Sequence, residues 1–316
     1  MTKFSQTYPT DLKYTEWMLI AEFFPPNQMG RPRKWEIWQI INAILYVNRT
    51  GCQWRMMPTN LPPWQSVYGY FWRWTRSGLW ERINDVLVQK VRKKAGRNPK
   101  PSAAIIDSQS VKTSEGGEQR GVDVHKQTPG RKRHLVVDTL GLVLLVLVHS
   151  ASLQDGSGGY QTLQKLFKRI KGSVHNRWCR LKLIWADGAY THMVEPVRKR
   201  FGWTLEIVRR PDRAKGFHVL PRRWVVERTF GWLGRYRRLA RDFEHTVTCS
   251  EAMTYIASIR RMLKLAGTSL MKHFLRIRKI HCPLQKQHLR YHPGTSEDCI
   301  GKPPHGPAKW NIHAWD

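Results

Sequence analysis

Apolar residues in the first hundred positions recur at helical rather than strand spacing. Over residues 34–48, Trp35, Ile37, Trp38, Ile41, Ile44, Leu45 and Val47 keep an approximate 3.6-residue period, and Gly51 closes the segment. Pro58, Pro62 and Pro63 then interrupt the chain. A second helix is expected to open near Trp64 and run over 65–76, with Val67, Tyr68, Phe71, Trp72 and Trp74 on adjoining turns, and a third over 79–93. Residues 1–97 therefore read as a small all-helical domain. Its aromatic stripe is taken as core, because large rings are the main way a short helical unit fills its interior. The basic residues Arg31, Arg33, Lys34, Arg49, Arg55, Arg73 and Arg76 are its candidates for contact with a partner.

The pattern changes after a basic, Gly/Pro-punctuated linker at 93–102. Short apolar runs follow at 103–106, 134–138 and 142–149, the last two separated by Thr-Leu-Gly, and they predict a three-stranded meander. Helical spacing at 159–171 (Tyr160, Leu163, Leu166, Phe167, Ile170) predicts a crossover, then a strand at 181–186, a helix at 193–201, a strand at 203–208 and a long basic helix at 222–242. The order β-β-β-α-β-α-β-α is that of an RNase-H-like fold: α/β, a mixed sheet with flanking helices, here spanning 98–265. Residues 266–316 are basic, rich in His and Pro and without apolar period, so they are expected to be a disordered tail. Cys282, His288, His292 and Cys299 in that tail match the spacing of no common zinc module.

Charge narrows the partner. Lys plus Arg number 54 against 23 Asp plus Glu, a formal net charge of +31, which calls for an anionic partner. Nucleic acid fits best, since neutralising its phosphates releases condensed counterions. No apolar run approaches the roughly 20 residues of a membrane-spanning helix, and the start, Met-Thr-Lys-Phe, lacks a signal-peptide apolar stretch. The five cysteines are scattered without a CxxC pair, as suits a reducing cytoplasm.

In a chain so poor in acids, three carboxylates stand at telling places. Asp107 follows the apolar run at 103–106, Asp187 follows 181–186, and Glu227 lies inside the last expected helix. Neighbouring strands would bring both Asp side chains out at one end of the sheet, and the helix could carry Glu227 over them. Hard oxygen ligands of this kind hold Mg²⁺, and a pair of such ions serves phosphodiester displacement by activating the attacking oxygen and stabilising the leaving one. Asp123, Asp138, Asp155 and Glu195 compete for these roles. Asp138 falls at the far end of the meander, and Asp155 is ranked as a supporting residue near the site.

Four segments carry a resemblance. IIDSQSVK at 105–112, GRKRHLVVDTLGL at 130–142, ADGAY at 186–190 and RRWVVERTFGWLGRYRRL at 222–239 resemble bacterial insertion-sequence transposases of the DDE class, as does RPRKWEIWQIINAILYVNRTGCQWRMMP near the N-terminus. The likeness extends from about residue 8 to 265, with all motifs in the family's order. It implies that Asp107, Asp187 and Glu227 form the metal-binding triad, holding two Mg²⁺ ions for which Mn²⁺ can substitute. It also implies nicking of DNA at the element's terminal inverted repeats and attack of the freed 3′-hydroxyl on target DNA; the need to bring two ends together then calls for a homodimer on DNA, expected in the bacterial cytoplasm at the nucleoid. Arg223 matches the Arg that the family places four residues before the Glu. Leu220 stands where a Tyr is usual, and Gly234, beside Arg235, where a Lys is usual. Lys112, Arg131, Lys132, Arg133 and His134 are candidate phosphate contacts from the first two strands, and Arg223, Arg228 and Arg235 from the last helix. The rival readings are a nuclease on the same scaffold without strand transfer, and a non-catalytic DNA-binding regulator descended from a transposase.

Overall fold

The computed structural model of the chain describes residues 4–25, 33–114, 116–172, 178–209 and 222–267. These fall within one compact unit, Met1–Lys272. Arg31, Leu220 and the four Cys and His residues of the tail lie outside the described residues.

The N-terminal region is helical, with α1 (Tyr14–Met18), α2 (Ile37–Thr50), α3 (Trp64–Arg76) and α4 (Leu79–Lys94). α2 starts where Gln39 Oε1 accepts the Glu36 amide at 3.0 Å, and it stops at Gly51, whose φ of 75° suits the left-handed turn that ends many helices. Ile37, Trp38, Ile41, Ile44, Leu45 and Val47 on α2 and Val67 and Phe71 on α3 are buried as the stripes predict, with Ile83, Leu87 and Val88 on α4; Tyr68 and Trp72, expected in the core, instead lie exposed on the outer side of α3.

The sheet that follows has the topology expected from the order of runs. β1 (Ala103–Lys112) pairs antiparallel with β3 (Thr128–Asp138), and β3 with β4 (Val143–Ser150). A short strand, β2 (Gly121–Asp123), pairs the first residues of β3 and has no hydropathy signal. The crossover helix α5 (Asp155–Lys171) returns the chain to β5 (Leu183–Ala186), parallel to β1. Then α6 (Val194–Phe201) leads to β6 (Thr204–Ile207), parallel to β5. Three antiparallel strands extended by two parallel ones form the mixed, RNase-H-like sheet.

The structure departs from the sequence pattern in several places, among them β3, which begins at Thr128 rather than 134, and α5, which begins at Asp155 rather than 159. β1 does not end at Asp107 but continues to Lys112, because its polar second half is held by β3 through Lys112 opposite Gly130. The expected helix over 222–242 is two: α7 (Trp224–Gly234) and α8 (Arg237–Ala240), separated where Tyr236 turns extended at ψ 110°. The break lets Arg238 fold inward onto Glu244 at 2.7 Å and onto the Cys52 carbonyl at 3.2 Å. Lastly, α9 (Val247–Gly267) is buried along most of its length. It covers the outer edge of β4, whose Val146 and Val148 amides donate to Tyr255 Oη and Glu251 Oε1 at 3.1 and 3.0 Å, so the strand edge is not left open. From its other side it holds the N-terminal helices. Asn48 donates to the Met253 carbonyl at 3.0 Å, Ser258 to Asn84 at 3.0 Å, and Arg260 pairs with Glu16 at 2.9 Å. Helices and sheet thus share one hydrophobic core. No helix among the described residues is long and apolar enough to cross a membrane.

Candidate active site

β1 and β5 run parallel in register, with Ile105 opposite Trp185. Two residues further along each strand path stand Asp107 and Asp187, and since side chains alternate across a sheet, both emerge on one face at neighbouring positions. Asp187 leaves β5 as the cap of a short 3-10 turn, its Oδ1 accepting the Ala189 amide at 2.9 Å. Glu227 arrives from the first turn of α7.

A single atom marks where the three meet. Nη2 of Arg223 lies 3.8 Å from Asp107 Oδ2, 3.8 Å from Asp187 Oδ2 and 3.5 Å from Glu227 Oε1. The side chains are 16%, 28% and 47% exposed respectively, so the cluster grades from sheltered to open. Burial pushes the Asp107 carboxyl up to about 6, against the pull of the Ser108 amide and the Arg223 charge, while Asp187 pushes it further up. A carboxylate so placed gains from any additional cation. All the donors are hard oxygens, the chemistry that suits Mg²⁺. Among the described residues no group of three or more His, Cys, Asp or Glu is spaced to hold an ion as it stands; here the guanidinium occupies the shared position. The donor set therefore fits a divalent ion in chemistry, with Arg223 as the cationic stand-in.

A polar network supports Asp107 from below. The Ser108 amide donates to Asp107 Oδ1 at 2.7 Å, and its hydroxyl donates to Asp155 Oδ1 at 2.8 Å. Lys132 Nζ bridges Asp155 at 2.9 Å and Asp123 at 3.2 Å, and the Ser110 hydroxyl also donates to Asp123. His134 and His149 share a hydrogen bond of 2.9 Å, with His134 Nε2 at 3.1 Å from the Asp155 carbonyl. Burial, then the neighbouring His149, drives His134 down to about 3, so it is neutral at ordinary pH. Tyr190 is 1% exposed, and burial followed by the charges of Asp107, Asp155 and Asp187 holds its phenol well above the usual value.

Sequence reasoning assigns no role to His149 or Tyr190 and makes His134 a candidate phosphate contact, which its complete burial rules out. A signal existed in the glycines of DGSGGY at 155–160. A Cβ at Gly158 would sit 2.6 Å from His134 Cε1, and one at Gly159 2.7 Å from Tyr190 Cδ1, so these glycines let α5 approach the rings.

The candidate basic contacts separate into inner and outer sets. Arg131 is fully buried, donating to the Glu118, Glu244 and His245 carbonyls. Lys132 and Arg133 are each 3% exposed, the latter donating to the Leu239 carbonyl at 2.8 Å. Their charge is taken up inside the protein. Arg228 lies between the Trp224 and Trp232 rings, at 4.3 and 4.4 Å from their centroids. Arg33, Lys34, Lys112 and Arg235 are exposed. Of the competing acids, Asp138 is buried against Arg92 at the other end of β3, and Glu195 pairs with Arg198 on the surface at 3.8 Å.

Residues 98–259 match the family described as "Transposase DDE domain", and residues 12–84 match "Putative transposase of IS4/5 family". Two relatives come from insertion element IS402 of Burkholderia cepacia. An uncharacterized 16.2 kDa protein is 30% identical over 132 residues, 39% of this chain and 84% of that protein. A putative transposase is 30% identical over 118 residues, 37% of this chain and 54% of that protein. No solved structure matches. The chain belongs to the DDE transposases of bacterial insertion sequences.

Proposed function

We propose that this protein nicks DNA at the terminal inverted repeats of its insertion element and transfers the freed 3′ ends to target DNA. The observation that carries the reading is the convergence of Asp107, Asp187 and Glu227, from β1, β5 and α7, on the one position held by Arg223 Nη2. These three carboxylates would hold two Mg²⁺ ions, or Mn²⁺ in their place, which supply Lewis acidity for activating the attacking oxygen and stabilising the leaving one. Arg223 balances the carboxylates and orients Glu227 from one helical turn away. The Ser108–Asp155–Lys132 network fixes the Asp107 side chain, so the site is rigid before substrate arrives. No side chain need act as a covalent nucleophile, because water and then a DNA 3′-hydroxyl can do so. DNA recognition is assigned to residues 1–97 and chemistry to 98–265, with 266–316 dispensable for catalysis. Two element ends must be brought together, so the working form is a homodimer on DNA, in the cytoplasm at the nucleoid.

The test is nicking and strand transfer on labelled DNA carrying the element's own ends, with Mg²⁺ or Mn²⁺, comparing wild type with Glu227→Gln. Metal-dependent joined products that vanish in the variant while DNA binding persists support the reading. Cleavage without joining would reassign the protein as a nuclease, and binding without chemistry in either protein as a regulator.

A further inference from the structure

Glycines that packing does not explain are informative in this molecule. Among the described residues, four glycines outside the left-handed backbone region have open space where a Cβ would be: Gly69, Gly188, Gly231 and Gly234. Gly188 follows Asp187 directly. Gly231 and Gly234 lie one and two turns beyond Glu227 on α7, on the same helical face. Three of the four thus sit at the face where the carboxylates meet, and neither backbone angle nor packing asks for glycine there. The remaining reason for glycine is close approach by something outside the protein.

The fourth, Gly69, is in the middle of α3, where glycine weakens a helix relative to alanine. It belongs to the outward stripe Gln65, Tyr68, Gly69, Trp72, Arg73 and Arg76, at i, i+3, i+4, i+7, i+8 and i+11, while Val67, Phe71 and Thr75 face the core. The composition of that stripe is unlike a solvated helix face. Tyr68 and Trp72 are 37% and 43% exposed. The Arg76 guanidinium lies 4.6 Å from the Trp72 ring centroid and that of Arg73 4.5 Å from Tyr70, with Arg73 Nε donating to the Gly69 carbonyl at 3.3 Å, so both lie back along the helix surface. α3 contains no carboxylate, so neither arginine is neutralised on its own helix. By contrast, exposed α6 pairs its Arg198 with Glu195.

We propose that this face of α3 lies in the major groove of the duplex at the element's ends, with Gly69 at the point of closest approach. The proposal rests on the reading that the chain acts on DNA and adds where the duplex docks. From Gln65 to Arg76 the stripe spans about 16 Å at 1.5 Å per residue, the length of about five base pairs. The major groove admits a helix of this width, and Gln and Arg are the side chains that read adenine and guanine edges there. Tyr68 and Trp72 supply apolar contact to thymine methyls, and the positive charge of Arg73 and Arg76, in no ion pair among the described residues, complements the phosphates on either side.

The test uses the full chain and fluorescence anisotropy at fixed salt, on a labelled duplex carrying the element's end and on an unrelated duplex of equal length. Gly69→Gln, Trp72→Ala and Arg76→Ala are expected to weaken end binding about tenfold or more, with a smaller loss on the unrelated duplex and an unchanged thermal midpoint. Gly69→Ala should hold or raise the midpoint, showing that the glycine is not there for the fold. Wild-type affinity in Gly69→Gln and Arg76→Ala overturns the proposal. So does unchanged affinity with altered sedimentation, which would make the face a contact with a second copy or with the chain's own C-terminal residues. If wild type cleaves and joins DNA while the α3 variants bind normally, only the docking assignment falls. If the variants lose binding but wild type shows no metal-dependent chemistry, docking stands and the catalytic reading falls.

Discussion

Lys132 distinguishes an internal role from a DNA contact. Its ammonium lies 2.9 Å from Asp155, 3.2 Å from Asp123 and 3.0 Å from the Leu153 carbonyl, and the residue is 3% exposed. Lys132→Met keeps the stem and removes the charge. Removing one partner of a buried pair costs about 3–5 kcal/mol. Asp123, itself 3% exposed, retains the Ser110 hydroxyl and the Lys126 amide, so we place the loss at the lower end, about 3 kcal/mol at neutral pH. The pH dependence has a defined sign. Although burial pushes it upward, Asp123 is held down at about 2 by Ser110, the Lys126 amide and Lys132. A depressed carboxyl stabilises the fold above its unfolded value near 4 and loses that contribution as pH falls toward 2. Without Lys132 the carboxyl protonates at higher pH, so the gap between variant and wild type should close on acidification. Urea denaturation across pH 2–7, beside DNA anisotropy, measures both. A Lys132→Met protein as stable as wild type, with its salt slope for DNA binding reduced by about one, would refute the internal role and make Lys132 a phosphate contact.

Gly158→Ala forces a methyl to within 2.6 Å of His134 Cε1; we expect about 1–3 kcal/mol of destabilisation by overpacking. Because Asp155 lies in the same first turn of α5, DNA cleavage should fall while end binding persists, and a normal thermal midpoint with normal cleavage would count against this packing. Arg223→Gln removes the shared cation from three carboxylates and should cost about 1 kcal/mol in metal-free protein, given their partial exposure. The variant should then gain more thermal stability from Mg²⁺ than wild type, and an equal gain would show that Arg223 does not stand in the ion's place. Arg260→Met strands Glu16, 2% exposed, at about 3–5 kcal/mol; one cooperative unfolding transition at lower urea is expected, and two separable transitions would contradict a core shared by helices and sheet.

Hydropathy reads best where one face of an element is wet. α3 and α4 have that property, while the strands β3 and β4, covered on both faces, are legible because 135–137 and 143–148 are apolar throughout, and the mixed sheet could be ordered from them. It fails where a fully covered element mixes polar with apolar residues. α9 buries Glu251, Thr254, Ser258 and Arg260 along with its apolar residues, so no amphipathic period marks it. The start of β3 has the same difficulty in sharper form: Arg131, Lys132, Arg133 and His134 are all buried, in a stretch that reads as a solvated basic turn. Each is made tolerable by a partner distant in sequence, such as Glu244 and His245 for Arg131. No local pattern encodes those partners.

Acids and bases are therefore not equally legible. With 23 acids against 54 bases, an acid at the end of an apolar run is an uncommon event, whereas a base near a strand is not. Arg92, Arg131, Arg238 and Arg260 pair internally with Asp138, Asp242, Glu244 and Glu16; each pair is net neutral, so the +31 formal excess rests on the other lysines and arginines. Against that background, Asp107, Asp187 and Glu227 share one guanidinium and leave a locally negative spot on a strongly positive protein. Such a spot repels a phosphodiester unless cations intervene, so a chain that only bound DNA would do better without it. Asp107→Asn/Asp187→Asn/Glu227→Gln should accordingly bind duplex DNA more tightly than wild type in chelator, and lose the advantage when Mg²⁺ is restored to the wild type. Equal affinity in chelator would mean that the phosphates never approach these carboxylates, and the case for chemistry at this site would fail with it.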